Sequence, residues 1–508
     1  MRGTRLWKED AEEWRQKSVP ENQDRERPDR TNNVKKKKKI RSYPIIVISV
    51  FYTMLFASLL IYVGKYAYSN RQTLLDNSYN TRQQILLNQN SRGTIYSRDG
   101  DVLAYTGTDE NGKEKRFYPY NKEFAHVVGY STNGKMGIES QANYYLINTS
   151  IDLGDKVAYD ASGTKYPGDS VYSTLDVKLQ EVAYNALSAR KGAIVVSNPK
   201  TGEILAMVSK PDFDPNTIKE EWNNLIADNS PDAKLLNRAT QGLYPPGSTF
   251  KIVTSLAYLK DNAGKYSDYK FTCNGRYSYE GNTISCYHGE NHGYLDFTSA
   301  FAKSCNSAFA NIGLSIDRKT FGSVLSSLMF NQELPLSMSY SQSKANIDED
   351  SSSDDVMQLS IGQGATSVTP IHMNMITNAI ANSGILMKPM LITQVKSEDG
   401  KVIKTFNSEN YKRLMTAEES LTLTNMMEQV VQSGTASRLK GLSYTAAGKT
   451  GSAEFNSGTS DSHAWFTGFA PAEDPEISVT IIVEDAGSGG SYAVPIAKRI
   501  FDAYFDVE

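Results

Sequence analysis

The stretch PPGSTFKIVTSLAYL, residues 245–259, sets a serine directly after Pro-Pro-Gly and a lysine three positions later, Ser248 and Lys251. Residues three apart on a helix share a face, so the two side chains come within hydrogen-bond reach if this stretch is helical. A helix start also presents unpaired N–H groups and a partial positive charge, which suits a nucleophile whose target oxygen becomes negative. A serine hydroxyl is too weakly acidic to attack unaided and needs an adjacent base, for which Lys251 is the candidate. Taken alone the S-x-x-K spacing is weak, because it also occurs at Ser162, Ser188, Ser197, Ser267, Ser341 and Ser437. Turns are expected at Ser197 and Ser267 and polar loops at Ser162 and Ser341, while Ser188 and Ser437 lack a long apolar helix behind them. Only Ser248 follows a Pro-Gly stop and opens an amphipathic helix.

Two further motifs sharpen the reading. Lys449-Thr450-Gly451 lies within a strand pattern, where glycine lets a ligand backbone approach closely; the second K-T-G, Lys200-Thr201-Gly202, is expected to be only a turn between strands. Ser304-Cys305-Asn306 falls between Ser248 and Lys449 in the chain. Serine with lysine, then S-x-N, then K-T-G, in this order, resembles the active-site set of penicillin-binding proteins and serine β-lactamases. The segments RGTIYSRDG, NRATQGLYPPGSTFKI, SCNSAFANIG, GQGATSVTP, the GTA at Gly434 to Ala436, and AGKTGSAE followed by HAWFTGFAP resemble class B penicillin-binding proteins, and together they cover most of residues 92–496.

That resemblance implies acyl transfer on peptidoglycan stem peptides ending in D-Ala-D-Ala, with β-lactams as covalent inhibitors. Ser248 is then the nucleophile and Lys251 its base, its pKa depressed by a nearby cation such as Lys449 and by partial burial. Ser304 relays a proton to the leaving nitrogen, and Asn306 holds the substrate amide and Lys251. Lys449 and Thr450 receive the terminal carboxylate beside Gly451, and the N–H groups of Ser248 and Ser452 form an oxyanion hole worth about 3 to 4 kcal/mol per donor. Two positions depart from the pattern: Cys305 stands where β-lactamases favour Asp, its side chain expected to matter less than its neighbours' and oxidisable if exposed, and Ser452 stands where many class B members have Thr. No glutamate is identifiable as a deacylating base, so a long-lived penicillin adduct is expected. A D,D-carboxypeptidase or β-lactamase, and a non-catalytic β-lactam sensor or wall scaffold, are the competing readings.

The elements that must position these residues follow from the patterning. The 508-residue chain is too long for one average domain. Its formal charge of −3 argues against a nucleic-acid partner, which needs a basic face. Residues 1–43 are a charged tail expected to be disordered. Residues 45–63 carry no charge and at about 1.5 Å each reach roughly the thickness of a bilayer core. A transmembrane anchor over 44–64, with the basic run Lys35–Lys39 in the cytoplasm, puts the remainder outside a bacterial cell membrane. Family members commonly work with a polytopic membrane glycosyltransferase, whose contact surface would be this anchor and the pedestal.

A stalk and pedestal are expected over 65–168, with a hairpin about Asp99-Gly100, and a transpeptidase domain over 169–508. The fold class expected is α+β: an antiparallel sheet with helices, like penicillin-binding proteins and serine β-lactamases, on a smaller N-terminal pedestal after one membrane helix. AFAKSCNSAFANIGLSI reads as helical, and residues 338–355 as a Ser/Asp-rich loop. Three cysteines are too few for a disulfide framework; Cys273 and Cys286 are free to pair or not. Five histidines are too few to suggest a metal site, and no cofactor is expected.

Overall fold

The computed structural model describes residues 43–69, 81–454 and 462–507. The chain divides into two compact units, residues 1–71 and 72–508. The charged tail and the basic run Lys35–Lys39 lie outside the described residues. In the first unit, α1 (Tyr43–Ser69) is 27 residues long with no buried side chain. At 1.5 Å per residue it spans about 40 Å, more than the roughly 30 Å hydrocarbon layer.

The second unit is built on a five-stranded sheet. Its elements, in chain order, are α2 (Val177–Leu187), β1 (Gly192–Ser197), β2 (Ile204–Lys210), α3 (Lys251–Asp261), α4 (Phe297–Ala302), α5 (Asn306–Ser315), α6 (Pro370–Ala381), β3 (Ala447–Glu454), β4 (Ser462–Ala470), β5 (Ile477–Val483) and α7 (Gly489–Tyr504). The strands run in the order β3, β4, β5, β1, β2, every neighbouring pair antiparallel. Strands β4 and β5 are buried throughout, because α7 packs on one face and α6 on the other. The α6 face carries a polar seam, in which Thr377 meets Thr467 at 2.6 Å and Asn374 donates to Ser478 at 3.2 Å. Such a network inside a core fixes one register of helix on sheet.

The hairpin about Asp99-Gly100 forms, with Ile95 opposite Ala104. It belongs to a six-stranded sheet ordered Val402–Thr405, Ile392–Lys396, Ser170–Ser173, Ile95–Tyr96, Val102–Thr108, Glu114–Phe117. Strands from both sides of residue 168 therefore share one sheet, and one apolar cluster runs from Ile95 to Phe501. The Ser/Asp-rich loop ends earlier than its composition implies. Ser352 caps a helix at Ser353–Ser360, with Asp355 completing a reciprocal capping box, so the last acidic residues form its first turn.

Candidate active site

Three chain segments converge at one end of the sheet. The first is the nucleophile turn. Residues Gly247–Phe250 form a 3-10 turn that leads directly into α3, so Ser248 and Lys251 share a face as their spacing requires. Gly247 has φ of 51°, and a Cβ there would stand 2.9 Å from Ser452 O, so the Pro-Gly stop needs glycine. The turn is tied on both sides: Gly247 N donates to Gly362 O at 2.9 Å and Trp465 Nε1 to Pro245 O at 3.1 Å. Upstream, Tyr244 and Arg238 both donate to Glu484 Oε1, at 2.7 and 2.8 Å.

The second segment departs from the continuous helix expected over AFAKSCNSAFANIGLSI. Helix α4 ends at Ala302, Ser304 takes φ of 56°, and α5 starts at Asn306 with Cys305 as its N-cap. Residues two apart on a continuous helix do not face the same neighbour. The break at Ser304 is what turns both Ser304 and Asn306 toward Lys251.

The third segment is β3, at the sheet edge. Thr450 pairs with Phe466 and Gly451 with Trp465 in β4. A Cβ on Gly451 would come 3.1 Å from Pro246 O, from Thr249 Cγ2 and from Trp465 Cβ, which is the close approach its glycine allows. The Thr450 hydroxyl bonds that of Thr435, from the GTA segment.

The polar atoms meet around two lysines. Lys251 Nζ lies 3.0 Å from Ser248 Oγ, and it donates to Asn306 Oδ1 at 2.7 Å and to Ser304 O at 2.7 Å. Ser304 Oγ sits between the amines, 3.3 Å from Lys251 Nζ and 2.9 Å from Lys449 Nζ. Lys449 also donates to Thr450 O at 3.0 Å. Asn306 Nδ2 donates to Ser285 O at 3.0 Å, which fixes its amide with the oxygen toward Lys251. Both lysines are fully buried, where a lone ammonium is costly.

Burial pushes the Lys251 amine down to about 7, against smaller opposing effects of Cys305 and Cys286. Burial, then the charge of Lys251, holds Lys449 well below the usual lysine range. The expectation that Lys449 depresses Lys251 is corrected in emphasis: complete burial does most of it, and the repulsion falls on Lys449. A neutral amine 3.0 Å from a serine hydroxyl is equipped to take its proton.

A cleft of about 410 Å³ opens over this cluster, lined by Ser248, Ser304, Asn306, Thr435, Thr450 and Ser452 among others. Every sequence-predicted site residue is thus in one place: five polar residues line the cleft, Lys251 and Lys449 underlie it, and Gly451 gives the edge strand room beside the turn. The other S-x-x-K serines are elsewhere; Ser197 closes β1 instead of lying in a turn, and Ser162 ends the helix Leu153–Ser162. The turn at Lys200-Thr201-Gly202 is as expected.

Cys305 is completely buried, so the condition for its oxidation, an exposed thiol, is not met. Cys273 and Cys286 are thiols with Sγ atoms 3.6 Å apart. Sequence reasoning missed Trp465 and the cleft wall formed by Tyr287, His288, Glu290 and His292. The tryptophan stood inside the quoted HAWFTGFAP segment; the wall has no motif to find it by.

The family comparisons agree with this geometry. The penicillin binding protein transpeptidase domain matches residues 192–502, and the penicillin binding protein A dimerisation domain matches residues 92–171. The peptidoglycan D,D-transpeptidase PbpA of Mycolicibacterium smegmatis is 32% identical over 462 residues, covering 83% of this chain and 91% of that protein. Among solved structures, the D,D-transpeptidase domain of a peptidoglycan glycosyltransferase from Eggerthella lenta aligns with a TM-score of 0.72 at 30% identity, over 82% of this chain and 99% of that one. The penicillin G acyl-enzyme complex of penicillin-binding protein A from M. tuberculosis aligns with a TM-score of 0.73 at 28% identity, over 82% and 100%.

Proposed function

The chain belongs to the class B penicillin-binding protein family, and we propose that it is a membrane-anchored peptidoglycan D,D-transpeptidase working through a Ser248 acyl-enzyme. The observation that carries the residue roles is Lys251: a buried amine near neutral pKa, 3.0 Å from Ser248 Oγ and held by Asn306 and Ser304.

Ser248 Oγ attacks the carbonyl of the penultimate D-Ala while Lys251 Nζ takes its proton. The oxyanion forms between the N–H groups of Ser248 and Ser452. As the C–N bond breaks, Ser304 Oγ, shared between the two lysines, passes a proton to the leaving D-Ala nitrogen. An amine of a neighbouring stem then attacks the ester, gives up a proton by the reverse relay, and releases Ser248 with a new peptide bond formed.

Lys449 and Thr450 take the terminal carboxylate of the donor stem. An anion there favours the charged form of Lys449. Two adjacent buried amines resist a double charge, so substrate binding keeps the proton on Lys449 and leaves Lys251 neutral for catalysis. Gly451 leaves room for the donor peptide along β3.

Helix α1 fits a single membrane anchor, and the basic residues before it favour a cytoplasmic N-terminus with the second unit outside. A polytopic glycosyltransferase is the proposed membrane partner, supported by the family resemblance alone.

The test is covalent labelling of the detergent-solubilised chain by fluorescent penicillin, beside Ser248→Ala. A label on the wild type alone that persists for hours supports the transpeptidase. A label lost within minutes favours a hydrolase, and no label on either favours a scaffold.

A further inference from the structure

Three cysteines and one histidine that no mechanistic step uses come together behind the S-x-N turn. Cys273 ends the strand Lys270–Cys273, Cys286 follows Asn282–Ser285, His292 precedes Gly293–Asp296, and Cys305 caps α5. Their donor atoms all lie within 4.8 Å of one another. Cys286 Sγ is 3.6 Å from Cys273 Sγ and 3.7 Å from Cys305 Sγ, and Cys273 Sγ is 3.5 Å from His292 Nδ1. We propose that Cys273, Cys286, Cys305 and His292 form a structural site for one thiophilic divalent cation of the zinc class, which locks the S-x-N turn against Lys251.

The edges of this polyhedron support that assignment. Tetrahedral zinc, with bonds of about 2.3 Å to sulfur and about 2.0 Å to nitrogen, sets S···S edges near 3.8 Å and S···N edges near 3.6 Å. The three closest observed separations match to within a few tenths of an ångström. The three thiols are buried and the His292 side chain is 6% exposed, as a closed structural site requires.

The surroundings are those of metal-bound thiolates. Gly275 N donates to Cys273 Sγ at 3.3 Å, Ala308 N to Cys305 Sγ at 3.4 Å, and Ser307 Oγ lies 3.2 Å from Cys286 Sγ. On the far side of the imidazole, Glu290 Oε2 stands 3.7 Å from His292 Nε2, where a carboxylate favours the tautomer that leaves Nδ1 free for a cation. A disulfide explains less. Cys286 is almost equidistant from two sulfurs, and either pairing leaves a third thiol and the imidazole buried beside it.

The site adds to the reaction geometry by position. Cys305 lies between Ser304 and Asn306, and Cys286 adjoins Ser285, whose carbonyl fixes the Asn306 amide. A cation joining them cross-links the cleft wall, the S-x-N turn and the start of α5. On binding, the three thiols lose their protons to solvent, and the complex of one divalent cation with three thiolates carries one net negative charge. No electron transfer is involved.

The experiment uses the full-length chain purified in detergent without chelator, with metal measured by mass spectrometry and thiols titrated under native and denaturing conditions. The expected result is about one zinc per chain. Cobalt replacing it should give the intense visible absorption of a tetrahedral thiolate complex, and both signals should fall in Cys273→Ser and in His292→Ala. Removing the metal should slow penicillin acylation, and adding zinc back should restore it.

The metal and cobalt readouts need no activity, so they stand or fall separately from the transpeptidase reading. Three titratable thiols with no zinc uptake overturn the site. So does a disulfide between any two of the three cysteines in protein taken from its own membrane.

Discussion

Below about pH 7 the Lys251 amine takes up a proton and ceases to be a base. Its folded value is lowered to about 7 by burial, so the reactive neutral fraction grows as pH rises through that point. The second-order rate of penicillin acylation should therefore climb about tenfold per pH unit below neutrality and level off above it. Stopped-flow acylation across this range checks it, and a profile flat through pH 7 would count against Lys251 as the base. Lys251→Arg keeps the charge and the donors to Asn306 and Ser304 but cannot deprotonate, so it should lose about 10² to 10⁴ in acylation rate. These roles were legible from residue types because S-x-x-K, S-x-N and K-T-G each fix chemistry by short spacing. The thiols and His292 were not, since their spacings of 13, 6 and 13 residues match no local motif and only the fold closes them into a cluster.

At the scale of elements, strands were easier to place than helix ends. The alternation and turn residues of GAIVVSN, EILAMVS and EISVTIIVE give β1, β2 and β5 where expected. The apolar periodicity across SCNSAF hid the break at Ser304, because a non-glycine residue at positive φ leaves no mark in composition. The packing of α7 on the active-site strands was also hidden, and it carries a prediction. Gly489, the first residue of α7, faces the backbone: a Cβ there would stand 2.2 Å from Trp465 O and 2.5 Å from Gly451 O. Gly489→Ala should push α7 away from β3 and β4, lowering stability by about 1 to 3 kcal/mol. Displacing Thr450 and Ser452 by an ångström should cost about 100-fold in acylation. Gly154→Ala, inside the helix Leu153–Ser162 with nothing within 4 Å of its Cβ, is the control: it should hold or slightly raise the denaturant midpoint and leave the rate unchanged.

Within the second unit, a charge cluster that does not line the cleft joins strands to a helix. Arg92, the first residue of RGTIYSRDG, and Arg116 enter a buried network. Glu139 is fully buried, and its carboxylate accepts from Arg92 Nε at 2.5 Å, Arg116 Nε at 2.7 Å and Tyr118 OH at 3.2 Å. Arg92 and Arg116 also reach backbone carbonyls at Glu139 and Gly93, so the cluster ties the Ile95–Tyr96 and Glu114–Phe117 ends of the six-stranded sheet to the helix Gly137–Gln141. Burial alone would raise the Glu139 pKa, but Arg116 and Arg92 together hold it below the usual glutamate value. A depressed carboxylate contributes stability above its unfolded value, and that contribution is lost as pH falls through the folded one. Glu139→Gln leaves two guanidinium groups without a counter-charge, for an expected loss of about 3 to 5 kcal/mol at neutral pH. In urea unfolding of the detergent-solubilised chain, the gap between wild type and Glu139→Gln should be widest at neutral pH and narrow only below the ordinary carboxylate range. A gap that stayed constant down through that range would mean that the side chain acts by shape and hydrogen bonding, with its charge contributing nothing.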